Sequence, residues 1–561
     1  MPAGCHPPPR RGAGGGAALA ALALLIAASP VAADPVQEAL RERIEFERET
    51  GALRISGAEI VGTPALPMLY GDVDFRPLWR DPARVRELMA LVHESYDDGL
   101  SPVDYHLTAL ARVWPVVQTN PTPANVADFD ILATDAYMLL LFHTYFGKTD
   151  PVSLEPTWNF STRSITGQQA VEFVVDAIRG NRLRVAIEAV RPAHWMYQRG
   201  RKVLRAYREI AARGGWPAVP PGESLKPGMT DARVPALRRR LAASGDLRDG
   251  SLDAWSFDPS LEAALRNFQE RHRLAADGVV GAATLAELNV PVESRIGQIR
   301  VNLERGRHVL HEIGDGDLAV VDIAGFELRY LHNRKTVWTS RVQVGQAYRQ
   351  TPIFKASIEH IVLNPAWTVP PGILQKDVLP AVRRDPGYLA RRGLEVFDHS
   401  GRRVDASSVD WSRYTGSSVP YLFRQSPGAD NALGRVKIMF PNQHLVYLHD
   451  TPSRALFARD DRAFSSGCIR VERPLELVER LLGDPAWTVA SLQIAIDAGQ
   501  TRTIRLARPV PVLLIYWTVD EDDQGRVVFK RDVYGRDAPL AAALAGRSYI
   551  RQRFDDLRPA G

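Results

Sequence analysis

A thiol and an imidazole 19 residues apart define the chemistry open to this chain. Cys468 sits in Ala463-Phe464-Ser465-Ser466-Gly467-Cys468-Ile469-Arg470-Val471, and His449 lies in Val446-Tyr447-Leu448-His449-Asp450-Thr451-Pro452. A cysteine attacks as thiolate, and it needs a base to take its proton and donors to hold the oxyanion that forms. His449 leaves the end of an apolar run, Leu445 to Leu448, that reads as a strand, so its ring can reach across to the sulfur. Gly467 lets the backbone turn tightly and offers amide N–H groups which, with that of Cys468, form a candidate oxyanion hole. Arg470 can hold a carboxylate in bidentate fashion or favour the thiolate, or it can be a solvated surface residue. Strand alternation puts Tyr447 on the face of His449, as a wall of the site or as core. Asp450, adjacent on the chain, points away from its neighbour, so a backbone carbonyl is the better partner for the imidazole. His332, His360, His399 and His444 have no nucleophile near them.

The cysteine count strengthens the nucleophile reading. Cys5 and Cys468 are the two cysteines of the chain. Arg10 and Arg11, the apolar run Ala17 to Ala28 and Ser29-Pro30-Val31-Ala32-Ala33 have the form of a secretory signal peptide, 1–33; an uncleaved anchor is the alternative. Cleavage would remove Cys5 and leave one thiol in an oxidising compartment, where structural cysteines come in pairs. The chain has 70 basic and 65 acidic residues, a net +5. That falls to about +3 without Arg10 and Arg11, too little to argue for nucleic acid.

The elements that position the thiol occupy a 561-residue chain, long enough for several domains. Residues 34–213 read as a helical scaffold. Asp81-Pro82 caps a helix with Val85, Leu88, Val92 and Tyr96 on one face before Gly99, and an apolar helix runs from Phe129 to Tyr145. Residues 214–229, opening Gly214-Gly215-Trp216-Pro217, read as a linker. Residues 230–290 form three short helices: Val234 to Leu241, the Asp258-capped Leu261 to Phe268, and Ala282 to Leu288 after the Asp277-Gly278 turn. A connecting helix fills 291–317. From Leu318 the period becomes alternating, with strands at Leu318–Ile323, Glu327–Leu331, Thr339–Val344, Ile358–Leu363 and Val436–Phe440, and a closing hairpin of Val510–Val519 with Arg526–Phe529. Residues 370–434, rich in Pro, Gly and Arg, interrupt these strands as an insertion of lid type. A tail follows, 538–561. The class is α+β and multidomain: helical scaffold, small three-helix module, and a mainly-β domain of 318–537.

Several motifs carry a family resemblance. Tyr447-Leu448-His449-Asp450-Thr451-Pro452 and Ser465-Ser466-Gly467-Cys468-Ile469-Arg470-Val471 resemble the L,D-transpeptidase catalytic domain of the YkuD type. Val344-Gly345, Thr351-Pro352, Asn364-Pro365-Ala366-Trp367 and Asn431-Ala432-Leu433-Gly434 resemble its other marks. Phe268-Gln269-Glu270-Arg271-His272-Arg273-Leu274 with Asp277-Gly278 and Gly281-Ala282-Ala283-Thr284 resembles a peptidoglycan-binding module. Many members have histidine where this chain has Ser466; the long, multidomain periplasmic subgroup it most resembles has serine.

The resemblance implies a periplasmic enzyme in which Cys468 attacks the diaminopimelate–D-alanine bond of a tetrapeptide stem. His449 would move the proton, and the acyl group would pass to the side-chain amine of a second diaminopimelate. Gly467, Ser466, Tyr447 and Arg470 become candidate oxyanion and substrate-binding residues, and carbapenems would acylate the cysteine. The partners implied are peptidoglycan stem peptides, with transient contact to other cell-wall enzymes; the chemistry calls for no metal and no organic cofactor. The alternatives are an L,D-carboxypeptidase that hydrolyses the same bond, and a non-enzymatic wall-binding scaffold.

Overall fold

The computed structural model describes residues 34–546 except positions 51, 63, 162, 416 and 417. The leader read at 1–33 and the end of the tail lie outside the described residues.

The amino-terminal part is helical because its apolar residues recur at helical spacing and its starts are capped. Helix α1 (Pro82–Glu94) begins at Asp81, whose side chain accepts from the Ala83 amide, and it buries Val85, Leu88 and Val92. Tyr96 departs from expectation. The helix tightens into a 3-10 turn at Ser95–Asp98, Tyr96 turns outward, and Arg208 stacks on its ring. Gly99, with φ 77°, ends the turn. Helix α2 (Pro123–Phe146) is buried on nearly every side, and helix α3 (Trp195–Ala212) closes the region.

The small module follows the expected plan: α4 (Val234–Ala243), α5 (Pro259–Arg271, capped by Asp258) and α6 (Ala282–Leu288) around Leu237, Leu261, Leu265 and Phe268. The stretch read as a linker is laid onto this module: Val219 and Leu225 are buried in its core, and Leu225 bridges to Val280. His272 stacks between Phe268 and Phe529, so the end of the module's second helix leans on the mainly-β region.

Helix α7 (Val292–Val309) joins the parts and is buried along its second half. Sequence reading gave no hint that a charged cluster would be sealed there. The Glu304 carboxylate takes Arg307, His308 and the Thr149 amide, and Arg307 also donates to the Asp98 carbonyl and the Tyr197 hydroxyl. The neighbouring cations hold the Glu304 carboxyl far below its usual range against the cost of burial.

The mainly-β region carries a nine-stranded sheet. Its strands are β1 (Asp317–Asp322), β2 (Glu327–His332), β3 (Lys335–Gly345), β4 (Phe354–Leu363), β9 (Val436–Met439), β10 (Leu448–His449), β11 (Ala463–Ser465), β12 (Ile469–Val471) and β13 (Arg502–Ile515). The order is β11-β3-β12-β10-β9-β4-β13-β1-β2, and β2 also pairs with β3, so the ladder curls back on itself. Helices α3 and α7 cover β1, which explains its nearly continuous burial. Helix α8 (Pro474–Leu482) follows β12 and buries Leu477, Val478 and Leu481.

Two strand readings need correction. The run Leu445–Leu448 is a strand only at Leu448–His449, because Leu445 takes φ 56° and breaks the extended backbone before Tyr447. The closing hairpin is shorter than expected: β13 ends at Ile515, and only β14 (Val519–Glu521) pairs with β15 (Val527–Phe529). Strand β13 is held instead by β4 and β1, and its core positions Val512 and Leu514 are fully buried.

The insertion is a folded unit. Strands β5 (Trp367–Thr368), β6 (Leu394–Phe397), β7 (Arg403–Val404) and β8 (Leu422–Gln425) form a four-stranded sheet. Short helices between them share a core of Leu374, Val378, Leu389, Val396, Trp411 and Phe423.

Candidate active site

The thiol is placed by a parallel ladder between β10 and β12. Leu448 pairs with Ile469 and His449 with Arg470, while the Ile469 amide donates to the Tyr447 carbonyl. That register sets Cys468 beside Tyr447, with His449 one step further along. Gly467, φ 115°, supplies the turn just before the sulfur, in a region that side-chained residues rarely enter. Its carbonyl accepts from Thr351 Oγ1 at 2.9 Å, and Thr351 Oγ1 also accepts from the Gly345 amide.

Cys468 and His449 line one cavity of about 400 Å³. Tyr447, Ser466 and Arg470 share its wall, and the insertion contributes Trp367, Ile373 and Lys376. His449 Nδ1 lies 2.5 Å from the Asp450 carbonyl oxygen. A carbonyl can only accept, so Nδ1 carries the hydrogen and Nε2 keeps its lone pair. The expected backbone carbonyl therefore orients the imidazole, while the Asp450 carboxylate turns to the Arg435 amide and to Arg454. Burial, with the Arg470 and Lys437 charges, pulls the imidazole down to about 3, against the opposing main-chain groups of Asp450 and Leu433. At neutral pH the ring is an uncharged base.

The sulfur is half-buried, and its thiol hydrogen is turned to the Leu445 carbonyl at 3.8 Å. Burial pushes the thiol up from its ordinary value, although the Tyr447 groups, Lys437 and Arg470 pull the other way. The resting pair is thus neutral thiol and neutral imidazole.

The candidate oxyanion donors divide. The Gly467 amide is already committed to Ser465 Oγ at 3.1 Å, which removes it as a free donor in this arrangement. Ser466 is exposed, and its hydroxyl accepts from Arg349 Nη1 at 2.9 Å. Arg349 also grips Asp377 of the insertion with both nitrogens, tying the Ser466-Gly467-Cys468 turn to the folded insertion. Arg470 donates to Gln343 Oε1 at 3.0 Å, and its buried Nε has no partner. The rings of Tyr447 and His449 are 5.7 Å apart, edge to face.

Sequence reasoning missed Lys437, Arg349 and Lys376. The alternation of Val436 to Phe440 sets Lys437 opposite the buried Val436 and Ile438, but only the pairing of Lys437 with His449 reveals that its side of the strand is the site's. Arg349 and Lys376 come from a loop and an insertion that carry no period.

Comparison with known proteins agrees with this layout. Residues 64–204 match a scaffold domain, 230–288 a putative peptidoglycan binding domain, and 316–510 the YkuD L,D-transpeptidase catalytic domain. A putative L,D-transpeptidase of Haemophilus influenzae is 34% identical over 252 residues, 45% of this chain and 50% of that protein. The chain thus spans about half the length of the curated relative it matches. Among solved structures, an L,D-transpeptidase from Xylanimonas cellulosilytica is 14% identical, covering 53% of this chain and 99% of its own, with a TM-score of 0.17. Another from Stackebrandtia nassauensis is 14% identical, covering 53% and 96%, with a TM-score of 0.21. With its α+β architecture and these matched segments, the chain carries a YkuD-type L,D-transpeptidase catalytic domain joined to a peptidoglycan-binding domain and a helical scaffold domain.

Proposed function

We propose that this chain is a peptidoglycan L,D-transpeptidase in which Cys468 is the nucleophile and His449 the general base and acid. The observation that carries the reading is the meeting of Cys468 and an uncharged, carbonyl-oriented His449 in one cavity beneath a folded insertion. The thiol attacks the carbonyl between diaminopimelate and the terminal D-alanine of a tetrapeptide stem. Its proton passes to the imidazole and then to the leaving amine, so D-alanine departs and a thioester remains. The side-chain amine of a second diaminopimelate attacks that thioester, loses its proton to the same imidazole, and returns the thiol. The Cys468 amide is the remaining backbone donor for the oxyanion. Arg470, with its unpartnered Nε, faces the anionic groups of the stem, and the insertion keeps water from the thioester. The leader places this work in the periplasm, and the small module brings the enzyme to the wall.

The test is incubation of purified protein with tetrapeptide muropeptides, resolving products by mass. Crosslinked dimers with release of D-alanine are the expected result, and tripeptide alone would assign hydrolysis instead. Cys468→Ala should form no dimer, and an undiminished rate in that variant would refute the reading. A carbapenem should add its mass to the wild-type protein and not to Cys468→Ala.

A further inference from the structure

The antiparallel pairing of β9 with β10 sets Lys437 directly across from His449. Its ammonium lies over the Tyr447 ring, 4.1 Å from the centroid. Tyr447 in turn packs edge-to-face on the imidazole and runs beside Cys468 through the Ile469–Tyr447 bond. Lys437 is only partly exposed, and the titratable group that acts on it among the described residues is Cys468, not a carboxylate. A cation drawn out of water without an anion is costly, so a lone ammonium here needs a reason. The rest of the site sharpens the point. Tyr447, His449 from β10 and Arg470 from β12 line the same cavity as the sulfur, together with His444, Arg349 and Lys376. No lining side chain is an Asp or Glu.

We propose that Lys437 is a positioning residue of this site: stacked on Tyr447 and opposite His449, it holds the two rings beside the thiol and supplies the fixed positive charge that stabilises negative charge growing on the sulfur. The proposal rests on Cys468 being the nucleophile. Its charge acts on both halves of the proton transfer. It eases the loss of the proton from the thiol and disfavours a second proton on the imidazole, so the base is kept free. Arg470 acts in the same direction from the other strand, but it is anchored to Gln343, whereas the lysine's contact is the aromatic face that touches His449. A cation on a desolvated aromatic face gains stabilisation that holds both in place.

The experiment measures alkylation of Cys468 by iodoacetamide in the full chain from pH 6 to 10, read by mass on the Cys468 peptide. Wild type is compared with Lys437→Met, Lys437→Gln and Lys437→Arg, each checked for an unchanged melting midpoint. Both neutral variants should react about tenfold more slowly at pH 7.5, with the rising limb of the profile displaced to higher pH by about one unit, as expected for removing one nearby charge. Lys437→Arg should stay within about threefold of wild type, because it keeps the charge and the ring contact. Neutral-variant profiles that superimpose on wild type would overturn the inference while leaving the transpeptidase reading intact. A displaced profile in a protein that never consumes tetrapeptide would uphold the lysine's role and refute that reading. A wild-type sulfur unreactive at every pH would overturn both.

Discussion

Lowering the pH from 7 to 5 should leave the acylation of Cys468 by a tetrapeptide almost unchanged, because the base is held neutral by its surroundings. His449 is buried and faces Arg470 across the β10–β12 ladder and Lys437 across the β9–β10 ladder, and together these pull its pKa down to about 3. With that value about 99% of the imidazole is uncharged at pH 5, so kcat/KM should fall by only a few per cent. An imidazole at the ordinary value of about 6.5 would go from about three-quarters neutral to about 3%, a loss of roughly 25-fold. An attack that required the thiol to lose its proton to solvent beforehand would lose about 100-fold over the same two units. The assay is the initial rate of D-alanine release at subsaturating tetrapeptide, with folding at pH 5 confirmed by tryptophan fluorescence. Arg470→Gln should raise the acid limb toward neutrality, since it removes the largest charge acting on the ring. A 25-fold or greater fall in the wild-type protein would refute the argument.

Other consequences follow from the same geometry. Arg349→Ala cuts the tie between Ser466 and Asp377. It should raise the share of hydrolysis over crosslinking severalfold, read as the tripeptide-to-dimer ratio, with little change in melting temperature because both partners are partly solvated. Gly434→Ala forces a side chain into a φ 60° position and against the carboxyl of Asp450, the residue whose main-chain carbonyl orients His449. It should cost about 1–3 kcal/mol by denaturant melts and lower kcat more than it changes KM. His143 and His449 are both buried and drawn down to about 3, His143 by burial and the nearby Lys148 charge. The unfolded chain binds their protons below about 6.5, so stability is complete above that pH and declines between it and 3. At pH 5 each should cost about 2 kcal/mol, and His143→Asn should flatten the slope measured by urea titration.

Much of the site was legible because its chemistry is local in sequence. The Ser466-Gly467-Cys468 turn and the strand end at His449 each sit within a few residues, and the choice of a carbonyl over the Asp450 carboxylate followed from strand geometry. Capped helices such as α1 and α5 were legible for a similar reason: Asp81 and Asp258 act on amides two or three residues away. What could not be read is what depends on register. Leu445 breaks the strand because the backbone there turns positive in φ, a choice that the run Leu445 to Leu448 does not announce. Gly467 looked like an oxyanion donor until Ser465 Oγ was found on its amide.

Sequence by itself determined the candidate thiol and imidazole, the helical and alternating segments, and the position of the insertion, since residue type and spacing act over one or two turns of chain. Tertiary structure decided what those groups become. Pairing across β9, β10 and β12 brought Lys437 and Arg470 to the imidazole, and folding of the insertion brought Asp377 to Arg349, which also holds Ser466. Burial pushed the thiol up and the imidazole down from their ordinary values. Charge and desolvation act through space, and the distances that govern them exist only once the strands have paired.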